Sequence, residues 1–165
     1  MQHERLVSQD HTLIPFKLED QFGRTHTEAE CAGRVTVVLG SDRGGSRYTA
    51  QWLAGVRDAM KGTTNAEQVR TFGVANVRGV PPFLRRVVTA VLPKSKDAEV
   101  LLDWDGRFAT AYDFGVNCCT VLVADATGRV VLRTSGREAR PEQVAEVART
   151  LRTLLDPRLE PAEPH

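Results

Sequence analysis

Two hydrophobic rhythms divide this chain. Val35-Thr36-Val37-Val38-Leu39-Gly40 is apolar without alternation and rich in β-branched residues, which predicts a central strand buried on both faces. The period then changes. Tyr48, Trp52, Leu53, Val56 and Met60 recur at helical spacing, and Gly62 supplies a stop, so an amphipathic helix leaves the turn Ser41-Asp42-Arg43-Gly44-Gly45-Ser46. Val69 to Val77 reads as a second strand, which completes a βαβ unit with the right-handed crossover such units take. Pro81-Pro82 opens another helix, with Phe83, Leu84, Val87, Val88, Val91 and Leu92 on one face, and Pro93 ends it.

Around this centre the signals are shorter. Leu13 to Leu18 predicts a strand that Pro15 places at a sheet edge, followed by a turn at Glu19 to Arg24 and a return strand from Thr25 to Thr27. Cys31-Ala32-Gly33 is a second turn. Glu99 to Leu102 is a short strand, Asp105-Gly106 a turn, and Arg107 to Tyr112 a brief helix. Thr120 to Ala124 is a buried strand, and Arg129 to Arg133 returns antiparallel after the turn Asp125 to Gly128. Pro141 opens a last helix whose stripe is Val144, Val147, Ala148, Leu151, Leu154 and Leu155. With no internal repeat and no linker, the chain divides into a flexible N-terminus at 1–11, one α/β domain at 12–156 and a flexible tail at 157–165. The expected fold is a mixed sheet with helices on both faces and an N-terminal β-hairpin.

Composition narrows the function classes. With 165 residues, 41% hydrophobic and 26% charged, the chain can bury one real core. A formal net charge of +1 gives no electrostatic case for nucleic acid or an anionic membrane surface. No apolar run is long enough for a membrane span, and the polar start lacks a secretory h-region, so the expected location is cytoplasmic. The three cysteines, Cys31, Cys118 and Cys119, show no C-x-x-C and no metal-ligand spacing with His3, His11, His26 or His165. No metal and no cofactor is expected, and the oligomeric state stays open.

The turn after the central strand is the first candidate site. A helix start gathers unpaired N–H groups, Gly44 and Gly45 let a backbone approach closely, Asp42 or Ser41 can cap, and Arg43 and Arg47 add positive charge. Asp42, Arg43, Gly44, Gly45, Ser46 and Arg47 are thus the binding candidates, for a carboxylate or phosphate group or for a protein partner. An ordinary capped helix start is the competing reading. The run approaches G-x-x-x-x-G-K-[ST], but the lysine is absent and Arg47 stands where a hydroxyl would hold the metal, which excludes a nucleotide P-loop. Asp103 and Asp105 flank a turn and read as turn chemistry. Trp52 and Trp104 read as core or groove wall.

In order and spacing, several stretches resemble the thioredoxin-like fold, in its redoxin branch of peroxiredoxins (AhpC/TSA) and TlpA-type thiol-disulfide proteins. Phe16 to Arg24 resembles "F-x-L-x-D-x-x-G-K", and Gly33 to Val38 resembles "G-K-x-V-V-V". Leu101 to Tyr112 resembles "D-x-x-G-x-x-A-x-x-Y", and Thr120 to Val130 resembles "P-T-T-F-L-I-D-x-x-G-x-I". Among subgroups the chain is most similar to the YtfJ-type proteins, which have a poorly conserved active-site turn. The resemblance implies a thioredoxin-like three-layer sandwich and thiol-based redox chemistry with an antioxidant role.

The departures cut against that chemistry. Arg43-Gly44-Gly45-Ser46 occupies the place of the family's C-x-x-C, and a serine hydroxyl cannot form a disulfide. Cys119 falls where the family has a cis-proline. A non-proline cis bond costs about 3 kcal/mol, so a trans Cys118–Cys119 peptide is expected. If a thiol works here, Cys119 is the first choice by family position and Cys118 the second, with Arg43 stabilising the thiolate. Neighbours in a strand point oppositely, so only one of the pair can face the turn. Small hydrophobes packed at a strand start are the competing reading for both, and a structural role is expected for Cys31. Two functions follow: a binding or accessory domain without dithiol catalysis, or a thiol-dependent oxidoreductase or peroxidase using Cys119 or Cys118. An unrelated α/β phosphate binder is a third.

Overall fold

The structure, a computed structural model, describes residues 12–92, 94 and 99–156. Expectations for 1–11, Pro93 and 157–165 lie outside these residues. The strands are β1 (Lys17–Asp20), β2 (Thr25–Thr27), β3 (Thr36–Ser41), β4 (Arg70–Asn76), β5 (Val100–Asp103), β6 (Cys119–Ala124) and β7 (Val130–Gly136). The helices are α1 (Ser46–Ala59), α2 (Arg85–Val91), α3 (Arg107–Ala111) and α4 (Pro141–Leu155).

All seven strands form one sheet in the order β2-β1-β5-β4-β3-β6-β7. The neighbours β3, β4 and β5 run parallel, while β1 and β6 pair antiparallel on either side of them. The unalternating strands are the central ones: β3 and β6 are buried at every residue. Alternation then sorts their side chains. Val37, Leu39, Cys119, Val121 and Val123 pack with Trp52 and Val56 of α1 and Val147 and Leu151 of α4. Val38, Phe72, Val74, Leu101 and Leu122 pack on the other face with Phe108 and Tyr112 around α3. The helical periods of α1 and α4 are thus matched by burial, with Trp52 fully enclosed and its indole N–H donating to Gly136 O at 3.1 Å.

Two expectations need correction, and the Cys31-Ala32-Gly33 turn is found with added detail. The predicted edge strand at Leu13–Leu18 begins only at Lys17, and β2 takes the edge. Side chains satisfy the N–H groups ahead of it: Ile14 donates to Tyr112 Oη at 2.8 Å and Phe16 to Glu28 Oε2 at 2.9 Å. The Cys31 turn is entered through a 3-10 turn at Glu28–Cys31. The helix after Pro81-Pro82 starts as 3-10 at Pro82–Leu84, and its apolar stripe is not covered: Phe83 is 80% exposed and Val91 75%.

Candidate functional site

The C-terminal end of β3 delivers the chain into the Asp42–Gly45 turn. Ser41 is still in the strand, opposite Cys119 of β6. Asp42 then clasps two segments. Its Oδ1 accepts from the Gly45 N–H at 2.7 Å, and its Oδ2 accepts from the Asn117 N–H at 3.0 Å across the groove. Its carbonyl also accepts from the Ser46 N–H at 3.1 Å, which starts α1. Asp42 thus ties the turn ahead of α1 to the loop before β6, while the N-cap position of the helix is Gly45 and takes no side-chain bond, so neither Asp42 nor Ser41 is the helix cap the sequence suggests.

The two glycines explain how close that loop comes. A Cβ on Gly44 would lie 1.8 Å from Asn117 Oδ1, and one on Gly45 would lie 2.1 Å from Cys118 O. A larger residue at Gly45 would require the facing backbone to move, whereas one at Gly44 would chiefly displace the Asn117 side chain. Asn117 holds a positive φ of 54°, and the Cys118–Cys119 peptide is trans as expected. The loop has therefore settled onto the turn without a proline.

This packing decides which groups remain available. Of the N–H groups that the anion reading needs, those of Gly45 and Ser46 are taken by Asp42, whose carboxylate is itself negative. Ser46 Oγ donates to Arg43 O at 3.0 Å and Arg47 Nε to Gly44 O at 3.4 Å. The side chains of Arg43, Ser46 and Arg47 are exposed, with Val116 (80% exposed) and Asn117 beside the turn. Among the described residues neither arginine forms an ion pair. The turn presents a rim of positive charge over a closed floor.

The thiols lie on opposite sides of their strand. Cys119 is fully buried under α1, in the core cluster that also holds Trp52 and Leu39. Burial pushes its thiol up to about 12; the neighbouring Thr49 hydroxyl favours the thiolate but does not offset the burial, and Cys118 adds to the rise. Cys118 is half-buried, its Sγ seated against Gly115, where a Cβ would come within 2.2 Å of the sulfur. Burial raises its pKa too, and Asp42 adds to this, while Arg133 and Arg137 oppose it. The cations beside the thiol are thus Arg133 and Arg137, where the sequence suggested Arg43. Cys31 is buried and likewise raised, chiefly by burial. Asp103 and Asp105 serve the start of α3: Asp103 Oδ2 accepts from Ala109 N at 2.9 Å and Asp105 Oδ1 from Arg107 N at 3.1 Å.

One group of ionisable residues was not foreseen. His26, Asp20, Glu30, Glu99, Arg24 and Arg70 come together at the far end of the sheet. The local hint was the His26/Glu30 spacing; the remainder is brought in by sheet topology.

This sheet, with its helices on both faces and its central strand feeding a helix start that faces the loop before β6, defines a thioredoxin-like α/β protein. A hypothetical protein of Sinorhizobium meliloti 1021 has a similar structure, with 18% identity, 90% of this chain and 85% of that one covered, and a TM-score of 0.63. So does the pneumococcal exposed lipoprotein thioredoxin Etrx1 of Streptococcus pneumoniae, with 16% identity, 83% and 99% covered, and a TM-score of 0.57. Copper-bound ScoI of Bradyrhizobium japonicum is similar as well, with 16% identity, 85% and 99% covered, and a TM-score of 0.53. No family model matches the chain, and no curated protein matches it. At these identities the likeness is one of fold.

Proposed function

We propose that the chain is a redoxin-branch thioredoxin-like protein, of the AhpC/TSA and TlpA kind and nearest the YtfJ type, that works as a binding or accessory domain with little dithiol exchange. The observation that carries this reading is the state of the groove: no cysteine stands at Arg43–Ser46, and the cysteine that faces it in sequence, Cys119, is buried with its thiol pushed up to about 12. At pH 7 such a thiol is about 10⁻⁵ ionised, against about 3% for a free cysteine near 8.5. The exposed Arg43 and Arg47 with Val116 supply a surface for a protein partner, or for a small anion that docks from outside the Asp42-filled floor. The location proposed with it is cytoplasmic; no described helix is long and apolar enough to cross a membrane.

The second reading is a thiol oxidoreductase or peroxidase. The partial exposure of Cys118 favours it, with two arginines that pull its thiol down. One fold neighbour is named a thioredoxin and another is a Sco protein with copper bound.

A turnover assay separates the two. The chain is supplied with excess dithiothreitol and either a protein disulfide or hydrogen peroxide, with Cys118→Ser and Cys119→Ser alongside. The binding reading expects rates equal to reductant alone for all three proteins. Turnover that only Cys118→Ser removes would establish the oxidoreductase reading.

A further inference from the structure

The parallel strands begin at the end of the sheet opposite the Gly44–Gly45 turn, and a closed set of charges lies there. His26 is on the edge strand β2 and is 7% exposed. Its Nε2 lies 2.7 Å from Asp20 Oδ2 on β1 and 3.4 Å from Glu99 Oε2 ahead of β5. Its Nδ1 lies 3.0 Å from Glu30 Oε1 in the 3-10 turn. Two arginines complete the ring. Arg24 Nε is 3.0 Å from Asp20 Oδ2, and Arg70 of β4 is 2.9 Å from Glu99 Oε2 and 4.0 Å from Glu30 Oε1.

An imidazole can donate to carboxylates at both nitrogens only when it carries both protons. A neutral ring has one donor, and its bare nitrogen would face a carboxylate lone pair. The charge count agrees: with His26 protonated, three cations (His26, Arg24 and Arg70) meet three anions (Asp20, Glu30 and Glu99). Asp20, Arg24 and His26 of this ring belong to the N-terminal hairpin, Glu30 to the 3-10 turn after it, Arg70 to β4 and Glu99 to the approach to β5. The β1–β5 ladder that joins them is short, with Glu19 opposite Leu102 and Asp20 opposite Leu101.

We propose that His26 is a proton-operated latch between the N-terminal hairpin and the sheet, closed while the imidazole carries both protons and loosened when it loses one. The surroundings support this. Burial disfavours the imidazolium, but the bonds to Asp20 and Glu30 overcome it and hold His26 above its ordinary value of about 6.5. Burial likewise works against the Asp20 and Glu30 carboxylates, but the bonds from His26, together with those from the Arg24 and Phe22 N–H groups and the Arg24 side chain to Asp20 and from the Thr27 N–H to Glu30, hold both below their ordinary range. The stabilisation from His26 is therefore full below about pH 6.5 and fades as pH rises through its raised pKa. That from Asp20 and Glu30 is full above about pH 4 and fades as pH falls through their lowered values. The hairpin is held best in mild acid.

A divalent cation is the other occupant such a cluster can take, since Asp20, His26 and Glu99 offer ligand atoms within 4.8 Å of one another. The geometry favours the proton. The 2.7 Å between Nε2 and Oδ2 is a charged N–H···O distance, and guanidinium groups already occupy both carboxylates.

Amide hydrogen exchange on the intact chain at about pH 6 and about pH 9, corrected for the intrinsic pH dependence, tests the latch. Residues 17–31 should lose protection relative to β3 and β6 at the higher pH, by a factor set by how far folding raises the proton affinity of His26. Proton NMR should show the His26 ring titrating above its ordinary value, and His26→Gln should remove the pH dependence of the hairpin. Equal behaviour of hairpin and core in the wild-type chain would overturn the proposal without recourse to a variant. So would saturable binding of zinc alone that His26→Gln abolishes, which would make the cluster a metal site.

Discussion

The two ends of the sheet close by different means. At the Gly44–Gly45 end, closure is steric: two glycines accept the facing loop, and the Asp42 carboxylate ties down two N–H groups. At the His26 end, closure is electrostatic and depends on a proton. The groups held away from their ordinary values by specific charged partners sit at the His26 end. The thiols near the helix start are shifted by burial, in the direction that silences them. Burial alone suppresses ionisation, whereas burial with partners can hold a charge in place.

The comparison can be broken most forcefully at Gly45. Gly45→Val forces a side chain into the Cys118 carbonyl, a backbone atom that cannot swing away. A loss of about 3 kcal/mol is expected in urea unfolding. A neutral result would mean that the loop is not seated on the turn. Asp42→Ala comes next. It removes the carboxylate that accepts from Gly45 and Asn117, and should cost about 1–2 kcal/mol. It should also lower the Cys118 pKa, because Asp42 adds to its rise. If Cys118 alkylation at fixed pH does not quicken in this variant, the electrostatic half of the account fails at this end.

Much of the fold could be read from the chain because its signals are local. The unbroken apolar runs of β3 and β6 and the helical stripes of α1 and α4 state their own burial. The hairpin start was misplaced because Ile14 and Phe16 give their N–H groups to Tyr112 and Glu28, choices that tertiary contact makes. The stripe of α2 was visible, but periodicity does not say whether anything covers it. At the turn, the glycine pair was legible and its reason was not: Asn117 and Cys118 lie over seventy residues away. His26 reads from sequence as a strand residue because its partners Asp20, Glu30 and Glu99 come from three separate segments. Cys119 was placed by family position, whereas the strand's alternation turns it into the core beneath Trp52.

The central claim is that no thiol of this protein is activated at the turn. The most direct measurement is the alkylation rate of each cysteine across pH in the native chain, with Cys118→Ser and Cys119→Ser to assign the signals. The account predicts that Cys118 reacts more slowly than free cysteine at pH 7, and that Cys119 reacts only as fast as the chain unfolds. A thiol that reacts faster than free cysteine, with a midpoint below about 8.5, would contradict it.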